Sequence, residues 1–398
     1  MSLDFQELHH QVKKIGEQAQ AFSESVNEKR IKAKNMLAHY ANDLPNLRQK
    51  VKRAGSASLS LRCALPKDEP LNGHYPAPQF QPGIWLLTAD GSQILPDRHA
   101  QVNYSLVNVG ALRLHLGNAA APEIFTRCKL FYEELYDDTF SVSDISLKRD
   151  LLERQVFVEL ICGMQTDHND SRSPIVTLTD GTLELWGAKG SEEDSGNSFR
   201  KVLESYKKIL RRLRELDVTT AAYVDKPHAN YILKLLEVAS LPDDALDQAA
   251  KVKPYMGVSD EVLLADIIAP GERSSVFGIQ SQSDKDYQDE IALHFFYLNV
   301  GKVGHPWLAR VEIPAWVADS SEKLGLLHAV LLQQCRTLGN DPYPYLLHRA
   351  HEAAVVTFAE KEQLTQMIVG ELMKYRVAIG KVSHKQHHKN HGGRTRMK

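Results

Sequence analysis

The sequence predicts an α/β protein: a mixed β-sheet flanked by helices, preceded by a long N-terminal helix. Three observations carry this reading. From residue 83 on, short apolar runs bounded by turn formers alternate with stretches of helical period. The first of these strands follow one another too closely for helices to lie between them, so part of the sheet is antiparallel. Ahead of them, residues 3–53 read as helix.

In that helix Leu8, Val12, Ile15, Ala19, Phe22 and Val26 are spaced as a heptad seam. Such a seam packs on its own domain or pairs with a second copy of the chain. Residues 66–82 are proline-rich and polar, as in a linker or long loop. Residues 84–89 form an apolar run ending in Asp90-Gly91-Ser92, and 104–110 and 112–116 read as two further strands. Helix is expected over about 143–163, then a strand over 174–179 that again ends in Asp-Gly, at Asp180-Gly181. A basic amphipathic helix over 199–216, a strand over 219–224 and a helix over 230–238 follow. Strands at 291–300 and 308–313 and helices at 322–338, 344–357 and 361–375 complete the body. The expected organisation is a helical arm (1–65), a body (80–375) and a disordered basic tail (383–398).

Bulk composition excludes several classes. Among 398 residues, 43% are hydrophobic and 25% charged, an ordinary globular balance. A net charge of −2 means that any affinity for phosphate comes from local patches. Cys63, Cys128, Cys162 and Cys335 form no CxxC pair, so neither a zinc motif nor a disulfide scaffold is expected, and a reducing cytoplasmic setting is. No run of about 18 apolar residues is present to span a bilayer, and the N-terminus lacks the build of a signal peptide.

The chemistry points to carboxylates. In each Asp-Gly the glycine would turn the backbone sharply and leave the aspartate at the sheet edge. Two such carboxylates on neighbouring strand ends could share a hard divalent cation, which prefers oxygen ligands. A single Asp-Gly is more often a plain turn. On a helix over 151–161, Glu153 falls within the stripe of Val156, Phe157 and Leu160. A carboxylate on a buried face is costly unless it is paired or binds metal. Pairing with Arg149 is one outlet, and Glu159 is the rival ligand. His348 and His351 lie one turn apart without a zinc pattern; a histidine there could serve as acid or base beside a phosphate.

Several motifs occur together: Thr88-Ala-Asp-Gly-Ser-Gln-Ile94 with Pro96-Asp-Arg-His99, Leu178-Thr-Asp-Gly-Thr-Leu183, Tyr223-Val-Asp-Lys-Pro227, Gly271-Glu-Arg-Ser274 and Tyr343-Pro-Tyr-Leu-Leu-His-Arg-Ala-His351. In this order, over about residues 80–375, the chain resembles NurA-domain proteins. The resemblance implies an RNase H-like core, two Mn²⁺ or Mg²⁺ ions and a homodimer. It also implies 5′-to-3′ exonuclease and single-strand endonuclease activity in DNA end processing and double-strand break repair, with a HerA-type hexameric ATPase translocase as partner. By position, Asp90 and Asp180 match the family's metal-binding aspartates and Glu153 its helical glutamate. Tyr343 and His351 match its C-terminal Tyr and His. The loop over 163–173 is longer than in short family members.

Two cationic surfaces remain. The tail holds Lys385, Lys389, Arg394, Arg396 and Lys398 and no acid, a composition that seeks DNA or merely stays solvated. The helix with Arg200, Lys201, Lys207, Lys208, Arg211, Arg212 and Arg214 either lines a path to the site or faces water. The competing reading of the whole is a catalytically silent DNA-binding or scaffold protein on the same fold. The absence of a GxxxxGK[ST] loop weighs against an ATPase.

Overall fold

A computed structural model describes residues 3–97, 100–118, 120–132, 142–167, 173–187 and 193–377. The chain begins with helices α1 (Phe5–His39) and α2 (Leu44–Ala57) and strands β1 (Cys63–Pro66), β2 (His74–Pro76), β3 (Ile84–Ile94), β4 (Tyr104–Leu116) and β5 (Glu123–Tyr132). It continues through α3 (Val142–Asp167), β6 (Ile175–Asp180), α4 (Glu193–Glu215), β7 (Thr219–Val224), α5 (Tyr231–Ser240) and α6 (Asp260–Leu264). Strands β8 (Glu272–Ser274), β9 (Phe277–Gln280), β10 (Leu293–Asn299) and β11 (Leu308–Pro314) precede α7 (Ala315–Ala318), α8 (Ser321–Thr337), α9 (Tyr345–Ala354) and α10 (Phe358–Lys374). Two compact units result: Met1–Phe80 with Tyr223–Tyr343, and Gln81–Ala222 with Pro344–Lys398. No described helix is long and apolar enough to cross a membrane.

In the first unit, the single helix expected over 3–53 is two helices. Pro45 lies at the start of α2. Proline has no N–H to give, and its ring would clash with the carbonyl four residues back, so the helix cannot run through it. A first turn needs no such N–H, and α2 restarts there. Along the expected seam Val12, Ile15 and Phe22 are each more than 60% exposed, whereas Ala33 and Leu37, nearer the C-terminal end of α1, are fully buried. Strands β1, β9, β10 and β11 pair antiparallel in that order, and β8 joins both β10 and β2. Phe295 is the centre of this unit's core: the Phe277, Tyr231 and Tyr297 rings all lie within 6 Å of it.

The second unit carries a mixed sheet in the order β7-β6-β3-β4-β5 among the described residues. Strands β3, β4 and β5 form an antiparallel meander, and β6 returns parallel to β3 after α3. That arrangement is an RNase H-like core. Helices α3 and α9 cover opposite faces, as the alternation along β3 shows. The Thr88 and Ser92 hydroxyls donate to the Leu346 and Ala354 carbonyls of α9, while the Gln93 amide reaches Ser146 of α3. Burial on both faces explains why Leu86–Ala89 reads as a continuous apolar run.

Three local expectations change. Residues 104–110 and 112–116 are one strand, β4, in continuous register with β3. Strand β5 went unpredicted because it is an edge strand whose residues are mostly exposed, so no buried face marks it. Finally, Asp90-Gly91 is no turn: β3 runs straight through it to Ile94. Only the second Asp-Gly fits the expectation, with Gly181 at φ 83° directly after β6.

Candidate functional site

Asp90 sits mid-strand, opposite Gly110 of β4, on the sheet face that meets α9. Both glycines are there for space. A Cβ on Gly110 would lie 2.5 Å from the Ala354 nitrogen and 2.7 Å from the Ala350 oxygen, so the missing side chain lets α9 lie directly on β4. That contact brings His351 to Asp90, with Nδ1 2.7 Å from Oδ2. Asp90 Oδ1 accepts from the Gly91 N–H at 2.8 Å. On the opposite face, a Cβ on Gly91 would lie 2.6 Å from both Arg149 Cγ and Glu153 Oε1. The glycine therefore admits the α3 carboxylate to the strand beside Asp90.

Glu153 is a buried acid of this region. It is only 7% exposed, within the buried stripe of Val156, Phe157, Leu160 and Ile161. Burial pushes its carboxyl well above the usual glutamate range, the Asp150 and Asp90 charges push the same way, and Arg149 and Arg154 offset part of this. Arg149 Nε stands 3.4 Å from Glu153 Oε1 and also binds Asp150 Oδ1. The sequence offered pairing with Arg149 and a site role as alternatives; the geometry allows both. Glu159 is elsewhere: it is largely exposed, holding Arg127 at 3.3 Å.

Asp180 ends β6, one residue past the pairing of Ala89 with Thr179. Asp90, Glu153 and Asp180 all line one cavity of about 370 Å³, together with Asp150, Arg149 and Arg154. A strand, a helix and a strand end thus bring carboxylates from distant parts of the chain to one place. The donors are hard oxygens, and a buried carboxyl crowded by two acids is stabilised by any nearby cation, so the residues suit Mg²⁺ or Mn²⁺. Among the described residues, however, no three such groups are drawn together into a ready cage. Asp90 is turned to His351 and Glu153 to Arg149.

Tyr343 belongs to the first unit. Its ring packs edge-on against Tyr223 at 5.5 Å, and it lines a separate cavity of about 600 Å³ with Asp225, Trp307 and Arg336. In the same unit Trp307 Nε1 donates to Asp225, and Arg273 forks onto Glu69 through two bonds. His348 is exposed, 3.5 Å from Glu352. The α4 cations Arg200, Lys201, Lys208, Arg211, Arg212 and Arg214 are exposed. Lys385, Lys389, Arg394, Arg396 and Lys398 lie outside the described residues, as does His99. Sequence reasoning missed Asp150, Arg154 and Tyr206 as lining residues. For the first two a signal existed: Asp150 and Arg154 have the same i,i+4 spacing as Arg149 and Glu153, which places all four on neighbouring stripes of α3.

The NurA domain family model matches residues 86–356. Among solved structures, the chain is similar to the NurA nuclease from Sulfolobus solfataricus, at 12% identity over 85% of this chain and 96% of that one, with a TM-score of 0.45. It is also similar to the catalytic domain of human endonuclease V, at 14% identity over 82% and 97%, with a TM-score of 0.30. No curated protein matches. The matched span covers most of the chain, including Asp90, Glu153, Asp180, Tyr343 and His351, and the protein belongs to the NurA family.

Proposed function

We propose that this protein is a metal-dependent deoxyribonuclease that hydrolyses phosphodiester bonds at the cavity of its second unit. One observation carries the reading: Asp90, Glu153 and Asp180 line a single cavity, with His351 hydrogen-bonded to Asp90. Membership of the NurA family supports it.

Asp90, Glu153 and Asp180 are the residues that would hold the cation, Mn²⁺ or Mg²⁺ and in the family's manner two of them. Bound there, the metal supplies Lewis-acid neutralisation of charge building on the phosphate and leaving oxygen. The chain's own groups do the rest. Each carboxylate oxygen of Asp90 keeps a second lone pair beyond its bonds to Gly91 and His351. The carboxylate favours a proton on His351 Nδ1, which orients the ring and leaves Nε2 to exchange a proton with the substrate. His351 is exposed enough for DNA to reach it, with 64% of its side chain accessible.

The finer reading is a 5′-to-3′ exonuclease and single-strand endonuclease of DNA end processing and double-strand break repair. It acts in the cytoplasm as a homodimer beside a HerA-type hexameric ATPase translocase. The DNA-binding tail, with Lys385, Lys389, Arg394, Arg396 and Lys398, adds affinity for the phosphate backbone.

The test is incubation of labelled single- and double-stranded DNA with Mn²⁺, using wild type and Asp90→Ala. Wild type cuts, and the variant loses more than about 100-fold, the upper end for residues one shell further from a metal. Equal cutting by both proteins would move the chemistry away from Asp90. Cutting by neither, across divalent cations, would leave a silent DNA-binding protein.

A further inference from the structure

The carboxylate cavity contains a cation that the mechanism above does not use. Arg154 is 2% exposed, yet it lines that cavity. Its Nε donates to the Tyr206 hydroxyl at 3.2 Å. Tyr206 in turn donates its proton to the Leu183 carbonyl at 2.8 Å, so the hydroxyl can only accept from the arginine. Leu183, Tyr206 and Arg154 are therefore a chain of fixed direction that holds the guanidinium in one orientation. Arg154 Nη1 is buried without a hydrogen-bond partner among the described residues.

Its neighbour behaves differently. Arg149 is engaged by Asp150 at 2.9 Å and by Glu153 at 3.4 Å. Among the described residues Arg154 forms no ion pair, although the same cavity is lined by five acids: Asp90, Asp150, Glu153, Asp180 and Glu184. An arginine kept only as counter-ion to those acids would turn towards them. A desolvated guanidinium with an idle donor is costly unless an anion meets it. The planar fork of N–H groups matches the paired oxygens of a phosphate better than any other common anion except a carboxylate.

We infer that Arg154 is a phosphate-binding residue of this cavity, taking a non-bridging oxygen of the nucleic-acid strand. Tyr206 is its positioning residue. The inference rests on the nuclease reading of the same cavity and deepens it: a buried arginine grips the substrate beside the carboxylates that would hold the metal.

The experiment compares the full-length protein with Arg154→Met, Arg154→Lys and Tyr206→Phe. Binding of a fluorescent oligonucleotide is followed by anisotropy in Ca²⁺ over a range of salt, and cleavage kinetics are followed in Mn²⁺. In Arg154→Met the log–log salt slope falls by about 1 and affinity falls on the order of tenfold to a hundredfold. Arg154→Lys retains the slope, because the charge remains, but loses kcat/KM because the fork does not. Tyr206→Phe lowers kcat/KM with the slope intact. If Arg154→Met is folded and matches wild type in salt slope, KM and kcat, the inference is overturned. If that variant does not fold, Arg154→Lys and Tyr206→Phe decide, and wild-type kinetics in both overturn it. A wild type that binds DNA but never cuts defeats the nuclease reading alone, since the salt slope still reports on Arg154.

Discussion

Glu153 shows what a site costs at the scale of one residue. Its carboxyl is buried, repelled by Asp150 and Asp90, and only partly relieved by Arg149 and Arg154. Replacing it by glutamine removes the charge while keeping shape and a polar end. We expect Glu153→Gln to unfold at higher temperature, by the equivalent of about 1 kcal/mol, and to have lost DNA cleavage. A thermal melt beside a cleavage assay checks both; a destabilised variant would mean that the Arg149 pairing outweighs the cost of burial. A second buried group gives a pH prediction. His328 lies on α8 in the first unit, with Nε2 3.0 Å from the Gly271 carbonyl, and burial lowers its pKa from 6.5 to about 4. Between those values the unfolded chain binds more protons than the folded one. The stability from this neutral ring is thus fully present above pH 6.5 and is lost as pH falls through about 4. Asp260 acts in the opposite sense, since burial raises it from 3.8 to about 6 and its contribution is lost as pH rises through that range. Comparing the unfolding of wild type with His328→Gln across this window isolates the histidine: the variant should show the weaker loss on acidification.

At the scale of elements, the site depends on how closely α3 and α9 approach the sheet, and two glycines set those distances. Gly110→Ala drives a Cβ against the α9 backbone at Ala354 and Ala350, which cannot yield without moving the helix. It should cost about 1–3 kcal/mol or more and draw His351 away from Asp90. Gly91→Ala meets the Arg149 and Glu153 side chains instead, which can swing aside. It should cost less stability in chemical denaturation yet still depress cleavage, by displacing Glu153. Equal stability losses would contradict this division. The glycines also mark where sequence reading succeeds and fails. Apolar runs and helical stripes placed α3, β6, β7 and α9 within a few residues of their bounds and β3 at its start though not its end, because burial on one or both faces leaves a periodic trace. Asp90 and Asp180 stood out through their Asp-Gly pairs, and Glu153 through its place in an apolar stripe. The reason assigned to Gly91 was mistaken, since close approach across a strand and freedom to turn leave the same residue in the sequence. Strand β5 left no periodic trace at an exposed edge, and β1, β8 and β9 are too short to leave one. The pairing of Arg154 with Tyr206 joins two helices through tertiary contact, which no local pattern records.

For the whole molecule, a near-neutral net charge leaves any DNA affinity to local groups. Removing residues 383–398 should flatten the salt dependence of DNA binding, each lost phosphate contact taking about 0.9 from the log–log slope on duplex DNA. An unchanged slope would remove the tail from the interface. The central claim is that acids from separate segments of the chain together hold a divalent cation. Calorimetric titration of Mn²⁺ into wild type, Asp90→Asn, Glu153→Gln and Asp180→Asn tests it most directly. The account predicts saturable binding to the wild type that is weakened in all three variants while their folding is retained. Binding that is the same in all four proteins, or absent from the wild type, would contradict it.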